Sequence, residues 1–363
     1  MRLIARIVAP LTILLTLTSF QSAAAFEPAA AAKVMANAVD GYIRPAYADF
    51  HARTTALADA TEGFCKATSD AGLKDVQARF ADTVESWGRI EFLRLGPVLE
   101  ENRFERILFY PDRKSTGLKQ VQALLKKPDD SVTDAKALKT RSVAIQGLGA
   151  YEYLFFGDYP EAVVAEKDGF RCRYGLAVAR NVETIAGELQ AAWDAPDGIA
   201  HDWKVPSKDN AVYRDDNEAV SSLIGVAVHG LEMVRDQRMK HFYKGKGQKV
   251  SPKLAVYWRS GLTMKALTSN VEGLDKFWTV TDITSLLDPD AHSLSESASF
   301  DLKTAISALG KLDQPTAERL KDEKYLGKLD FIEFNLKDAM VRIDSDVGGA
   351  IGLGAGFSFS DGD

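Results

Sequence analysis

RSVAIQGLGAYEYLFFG, residues 141–157, places one acid and two glycines in what otherwise has the spacing of an unbroken buried helix. At 3.6 residues per turn Ile145, Leu148, Gly149, Glu152, Phe155 and Phe156 share a face, so Glu152 stands inside an apolar stripe. A carboxylate there needs company: alone it protonates or costs several kcal/mol. The options are a basic side chain from another helix, a hydrogen-bond network, or a bound cation. Gly147 and Gly149 sharpen the question, since each costs roughly 1 kcal/mol against alanine inside a helix. Something approaches closely there.

Outward from this stretch the chain keeps helical spacing, and alternating runs with hairpin turns are scarce. An Ala-rich segment over about 27–67 is interrupted by Pro45, which predicts a long amino-terminal helix kinked near 42–44. A second helix, over 73–95, carries Trp87 and Glu91 one turn apart and stops at Gly96-Pro97. The opening helix starts after the capping candidates Ser131, Thr133 and Asp134, and a fourth covers 171–193. The Pro/Gly/Asp-rich stretch AWDAPDGIAHDWKVPSKDN then marks a join. Beyond it the spacing predicts helices over 213–243, 252–279, 293–312 and 314–345. At 363 residues one core is too few. The expectation is an all-α chain of two helical-bundle halves with few or no strands, 26–196 and 212–363, joined by a linker at 197–211. The closing GGAIGLGAGFSFSDGD is too Gly-rich for a helix and too apolar for a free tail, so it should pack back on the protein.

Residues 1–25 have the form of a secretory signal: Arg2 and Arg6, an apolar run from Ile7 to Leu17, and a small-residue site at Ser22 to Ala25. Export to the periplasm follows as an expectation, with cleavage near Ala25. No later stretch approaches the ~20 apolar residues of a membrane span, so stable insertion is not expected. The net charge of -6, with no basic cluster, argues against nucleic acid as a partner. Cys65 and Cys172 lie beyond an oxidising export route, where either one disulfide closing a long loop or two buried thiols would account for them.

IRPAYADFHARTTALADATEGFC, the tryptophan helix ending in LGP, GLGAYEYLFFG, YWRSGLTMKALTSNVEGL and the terminal GFSFSDGD, in this order, resemble the imelysin-like proteins. The resemblance covers nearly the whole mature chain. It implies an all-helical exported protein of two bundle-like halves, linked with iron acquisition and iron-regulated expression. The family was first described as peptidases, and its mark is a Gly-x-His-x-x-Glu motif that looks like a metal site. Here the motif falls on Gly147, Gly149 and Glu152, with Gly149 where the histidine belongs. Glycine offers no side-chain ligand, and a hydrolytic metal site needs ligands plus an activated water. The chain also has no HExxH run, no GxSxG elbow and no clear thiol nucleophile, so peptidase activity is disfavoured.

Two other routes to a cation stay open. His229 and Glu232 repeat the His-x-x-Glu spacing, although the stripe Val220, Leu223, Ala227, Leu231 and Val234 points the other way and a plain polar face explains them equally. Glu91 facing Glu152 would make an oxygen-rich site suited to ferric iron, calcium or manganese. Against that stands a structural ion pair from Arg89, Arg94 or Arg141. The expected function is therefore non-catalytic iron or metal acquisition, with a metal, small ligand or envelope partner of an iron-uptake system held near Glu152. A metal-dependent peptidase using Glu152 with His229 and Glu232, and a degenerate scaffold binding another envelope protein, are the alternatives.

Overall fold

The computed structural model describes residues 26–353, which leaves the signal segment 1–25 and residues 354–363 of the Gly-rich tail outside the described residues. Among the described residues there is no strand: the fold is all-α. The helices, in order, are α1 (Pro28–Ala36), α2 (Arg44–Lys66), α3 (Asp70–Gly88), α4 (Arg103–Ile107), α5 (Thr116–Lys126), α6 (Ala135–Leu138), α7 (Leu148–Phe156) and α8 (Ala162–Ala165). After them come α9 (Phe170–Asp194), α10 (Ile199–Lys204), α11 (Asp216–Glu232), α12 (Lys240–Phe242), α13 (Thr263–Thr281), α14 (His292–Leu309) and α15 (Glu323–Val341). None of them is long and apolar enough to cross a membrane.

Pro45 does not break the first helix. Its missing N–H is accommodated by a π-helical turn over Asn37–Ile43, closed by the Arg44 amide donating to the Val39 carbonyl, so α1 and α2 run on as one rod. Side-chain caps set other starts: Ser69 accepts from the Gly72 amide and opens α3, and Asp215 accepts from the Glu218 amide and opens α11. In the first half α2 packs between α3 and α9, with α7 laid on α9. In the second half α13 packs on α14, α14 on α15, and α15 on α11. Contacts of α1 with α11, and of α3 with α13, join the halves through a continuous apolar core. Gly273 on α13 permits the second of these, since a Cβ there would lie 2.3 Å from the Arg89 carbonyl oxygen.

The stretch predicted as one helix over 131–157 is not one. It is broken into a 3-10 turn at Asp130–Val132, the short α6, a second 3-10 turn at Val143–Ile145, and α7. The cause is a buried polar network. Gln146 turns inward, donates to the Arg141 carbonyl (2.6 Å) and accepts from Arg106 Nε (3.0 Å), while Arg106 Nη2 donates to Asn181 Oδ1 (2.8 Å). Backbone and side-chain partners of this kind satisfy the groups that a continuous helix would have paired. The helix expected over 73–95 likewise ends at Gly88, which leaves Glu91 in the turn that follows. The one expected from 252 starts at Thr263, because residues 255–262 form a loop with Tyr257 (φ 54°) and Gly261 (φ 71°) in the left-handed region.

Candidate functional site

Gly147 caps α7 from outside the helix, and its backbone lies flat against α4. A Cβ at that position would stand 2.3 Å from the Ile107 carbonyl oxygen and 2.6 Å from that of Arg106. Gly149, the second residue of α7, is the opposite case: a Cβ there meets nothing within 4 Å. α7 is otherwise buried all round from Ala150 to Phe155, so the apolar stripe expected from spacing is a whole apolar helix with one open position. Gly149 opens into a cavity of about 310 Å³, bounded by α5, the first turns of α7 and the loop 253–259.

Glu152 lines this cavity and is only 4% exposed. Its Oε1 accepts two hydrogen bonds from one residue, the Ser260 amide (2.8 Å) and the Ser260 hydroxyl (2.8 Å). Burial pushes the Glu152 carboxyl above the ordinary glutamate range, against the pull of the Ser260 donors and of the Arg259 charge. None of the three expected basic partners reaches it. Arg89 pairs with Glu85 and Glu272, Arg94 bonds Gln237 and covers Phe104, and Arg141 pairs with Asp129. The loop carrying Tyr257 to Ser260 satisfies the acid by hydrogen bonding, not by ion pairing.

Glu91 does not join Glu152 in a cation site, because it is already taken. Arg238 Nη2 lies 3.0 Å from Glu91 Oε2 and Arg238 Nε 3.3 Å from Oε1, and Asn270 Nδ2 donates to Oε1 at 2.7 Å. Burial pushes the Tyr257 hydroxyl well above the ordinary tyrosine range, and the charges of Glu91, Arg238 and Glu152 all act on it. His229 and Glu232 bond each other at 2.9 Å (Nδ1 to Oε2) on a helix that is buried on nearly every side, and thus belong to a third location. Among the described residues no three of His, Cys, Asp and Glu are gathered to hold a metal. The groups beside Glu152 do not fit a resident ion, since they are the amide and hydroxyl donors of Ser260 and the positive charge of Arg259. Cys65 at the end of α2 and Cys172 at the start of α9 form a disulfide, with a Cα–Cα distance of 5.7 Å.

Sequence reasoning missed Ser260, Arg259, Tyr257, Arg238 and Asn270. For the first three a signal existed: an aromatic pair, a base, a small hydroxyl and a glycine in YWRSG are loop chemistry inside an apparent helix.

The Glu152 arrangement gives a pH test. The folded carboxyl holds its proton to higher pH than the unfolded one, so the folded state binds more protons just above the ordinary carboxyl range. Stability from this group is therefore lost as pH rises through that window. Glu152→Gln keeps an oxygen for the Ser260 donors and does not titrate. Urea unfolding as a function of pH should show wild type losing stability relative to the variant on leaving the acid range, then levelling. A difference that stays flat with pH would contradict the assignment.

Residues 43–328 match the sequence profile of the imelysin family, peptidase M75. The crystal structure of an imelysin-like protein from Psychrobacter arcticum 273-4 superposes with a TM-score of 0.73 at 18% identity, over 91% of this chain and 98% of that one. A precursor described as iron-regulated protein A, from Parabacteroides distasonis ATCC 8503, superposes with a TM-score of 0.72 at 14% identity, over 88% and 95%. No curated relative matches. With its profile spanning most of the length, from the π turn before Pro45 to α15, the chain belongs to the imelysin family.

Proposed function

We propose that the protein is a non-catalytic, exported imelysin that serves iron acquisition by holding a ligand in the cavity beside Glu152. The observation that carries this reading is the open face of Gly149: the motif position that holds histidine elsewhere in the family leaves space here that no neighbouring atom fills. Glu152, bonded to Ser260, then acts as a wall of the cavity and not as a metal ligand or base. Export rests on the signal-like residues 1–25, and the iron connection on the family and on the iron-regulated relative. The cavity volume lies in the range of small-molecule sites, about 300–1,000 Å³.

The test is Gly149→Leu, which sends a side chain into the cavity without touching the backbone around it. Mass spectrometry of material extracted from protein purified under native conditions should find a small molecule with wild type. The same preparation of the variant, folded by circular dichroism, should have lost it. A metal-dependent peptidase would give another result: cleavage of a defined peptide by wild type, abolished in Glu152→Gln. That outcome would replace the binding reading.

A further inference from the structure

We propose that the cavity ligand is a small organic carboxylate with a flat apolar body, its carboxylate held by Arg259 and Lys253. This inference rests on the cavity reading above and adds the charge and shape of what enters. Two acids, Asp112 and Glu152, two bases, Lys253 and Arg259, and His241 line the cavity, and the partners of the acids and bases differ. The acids are engaged: Glu152 by Ser260, and Asp112 by the amides of Thr116 (2.6 Å) and Gly117 (2.9 Å) at the start of α5. The bases are not. Among the described residues neither Arg259 nor Lys253 is in an ion pair with a carboxylate, and both lean on the same indole. Arg259 Cζ lies 4.3 Å and Lys253 Nζ 5.5 Å from the Trp258 ring centre.

Both cations lie over one ring at the cavity wall, and a bound anion would offset their like charges. Arg259 is also prepared for one. Its guanidinium lies over the rings of Trp258 and Tyr153 (5.3 Å), which holds it at the cavity wall, and a guanidinium can grip a carboxylate at two points through its in-plane N–H groups. The remaining walls, Leu108, Leu118, Val121 and Val256, suit an apolar body. The lining holds two acids and two bases, and among the described residues only the bases are without a polar contact of their own, so the side of the cavity formed by Arg259 and Lys253 is the one an anion would meet.

A free carboxylate and its ferric chelate present the same chemistry, so the experiment includes both. Titrations followed by Trp fluorescence and calorimetry would use salicylate, benzamide and benzylamine as anionic, neutral and cationic probes of similar size, and salicylate with and without iron(III). Salicylate should bind saturably, and benzamide and benzylamine at least about tenfold more weakly, as expected for loss of a charge-assisted bond. Arg259→Gln should weaken anion binding about tenfold or more, Lys253→Gln by about threefold, and Gly149→Leu should abolish it. Preference for iron-loaded over free salicylate would name the chelate as the source, and the converse the free acid. Equal binding of benzamide or benzylamine, or anion binding unchanged in Arg259→Gln, would overturn the anion assignment. If those probes are still blocked by Gly149→Leu, the cavity reading survives. Failure of every probe at millimolar concentration, or binding untouched by Gly149→Leu, would sink both.

Discussion

Arg238→Ala should lower the unfolding free energy by about 3–5 kcal/mol, the usual cost of leaving one member of a buried ion pair behind. Arg238 is 1% exposed, and among the described residues Glu91 is the one carboxylate paired with it, with the Tyr110 ring under its guanidinium at 4.7 Å. Burial holds its guanidinium back from ionising, while Glu91 reverses that and raises its pKa above the ordinary arginine value. In the variant Glu91 keeps only the Asn270 amide at 2.7 Å, in a setting from which water is excluded. The pair joins the turn after α3 to the π-helical turn Met233–Met239 after α11, so its loss also unfastens the two halves of the chain. Urea unfolding monitored by tryptophan fluorescence would measure it. A double replacement, Glu91→Leu with Arg238→Met, should recover most of the loss, because apolar groups of similar volume replace a buried pair at little cost. If the single variant loses less than about 1 kcal/mol, the pair is wetter than its geometry indicates.

The two glycines of the motif should respond in opposite directions. Gly147→Ala puts a methyl group 2.3 Å from a main-chain oxygen of Ile107, and a main chain cannot swing aside as a side chain can. A loss of about 2–3 kcal/mol is expected, at the upper end for overpacking. Gly149→Ala adds a methyl in open space on a helix, and should gain about 0.5–1 kcal/mol from the entropy lost by the unfolded chain. Thermal melts of both variants decide the matter. Equal effects would mean that the two positions do not have separate roles, one for packing and the other for the cavity. A natural helix that forgoes this gain at Gly149 retains the space for another reason, which fits a site kept open.

What was legible in the sequence followed from periodicity. Helix type and the interruption at Pro45 are local signals, carried by spacing and by proline's missing donor, whereas the stop expected at Gly96-Pro97 comes earlier, at Gly88. The Pro45 signal was legible in place but not in kind, since a π turn absorbs the defect without ending the rod. The opening stretch misled because Gln146 and Arg106 find each other across 40 positions, and no window of sequence contains both. Glu152 was correctly singled out as an acid in apolar surroundings. Its partner was wrong in type, because Ser260 carries no charge and lies 108 positions away. Glu91 shows the same limit: the spacing placed it near Trp87 on one helix, but the arginine that claims it arrives from the other half.

The unbroken rod of α1 and α2 has a consequence for how a guest would come and go. It lies against α11 at one end and against α3 and α9 at the other, and so splints the molecule across the seam. Jaw-like parting of the first and second halves of the chain would have to snap this splint and the Glu91–Arg238 clasp together. Admission is therefore a local affair, left to the loops around the mouth, where Gly245 (φ 107°) and Gly247 (φ 80°) precede Lys253 and Gly261 (φ 71°) follows Arg259. A vessel of this kind keeps its walls and moves its latch.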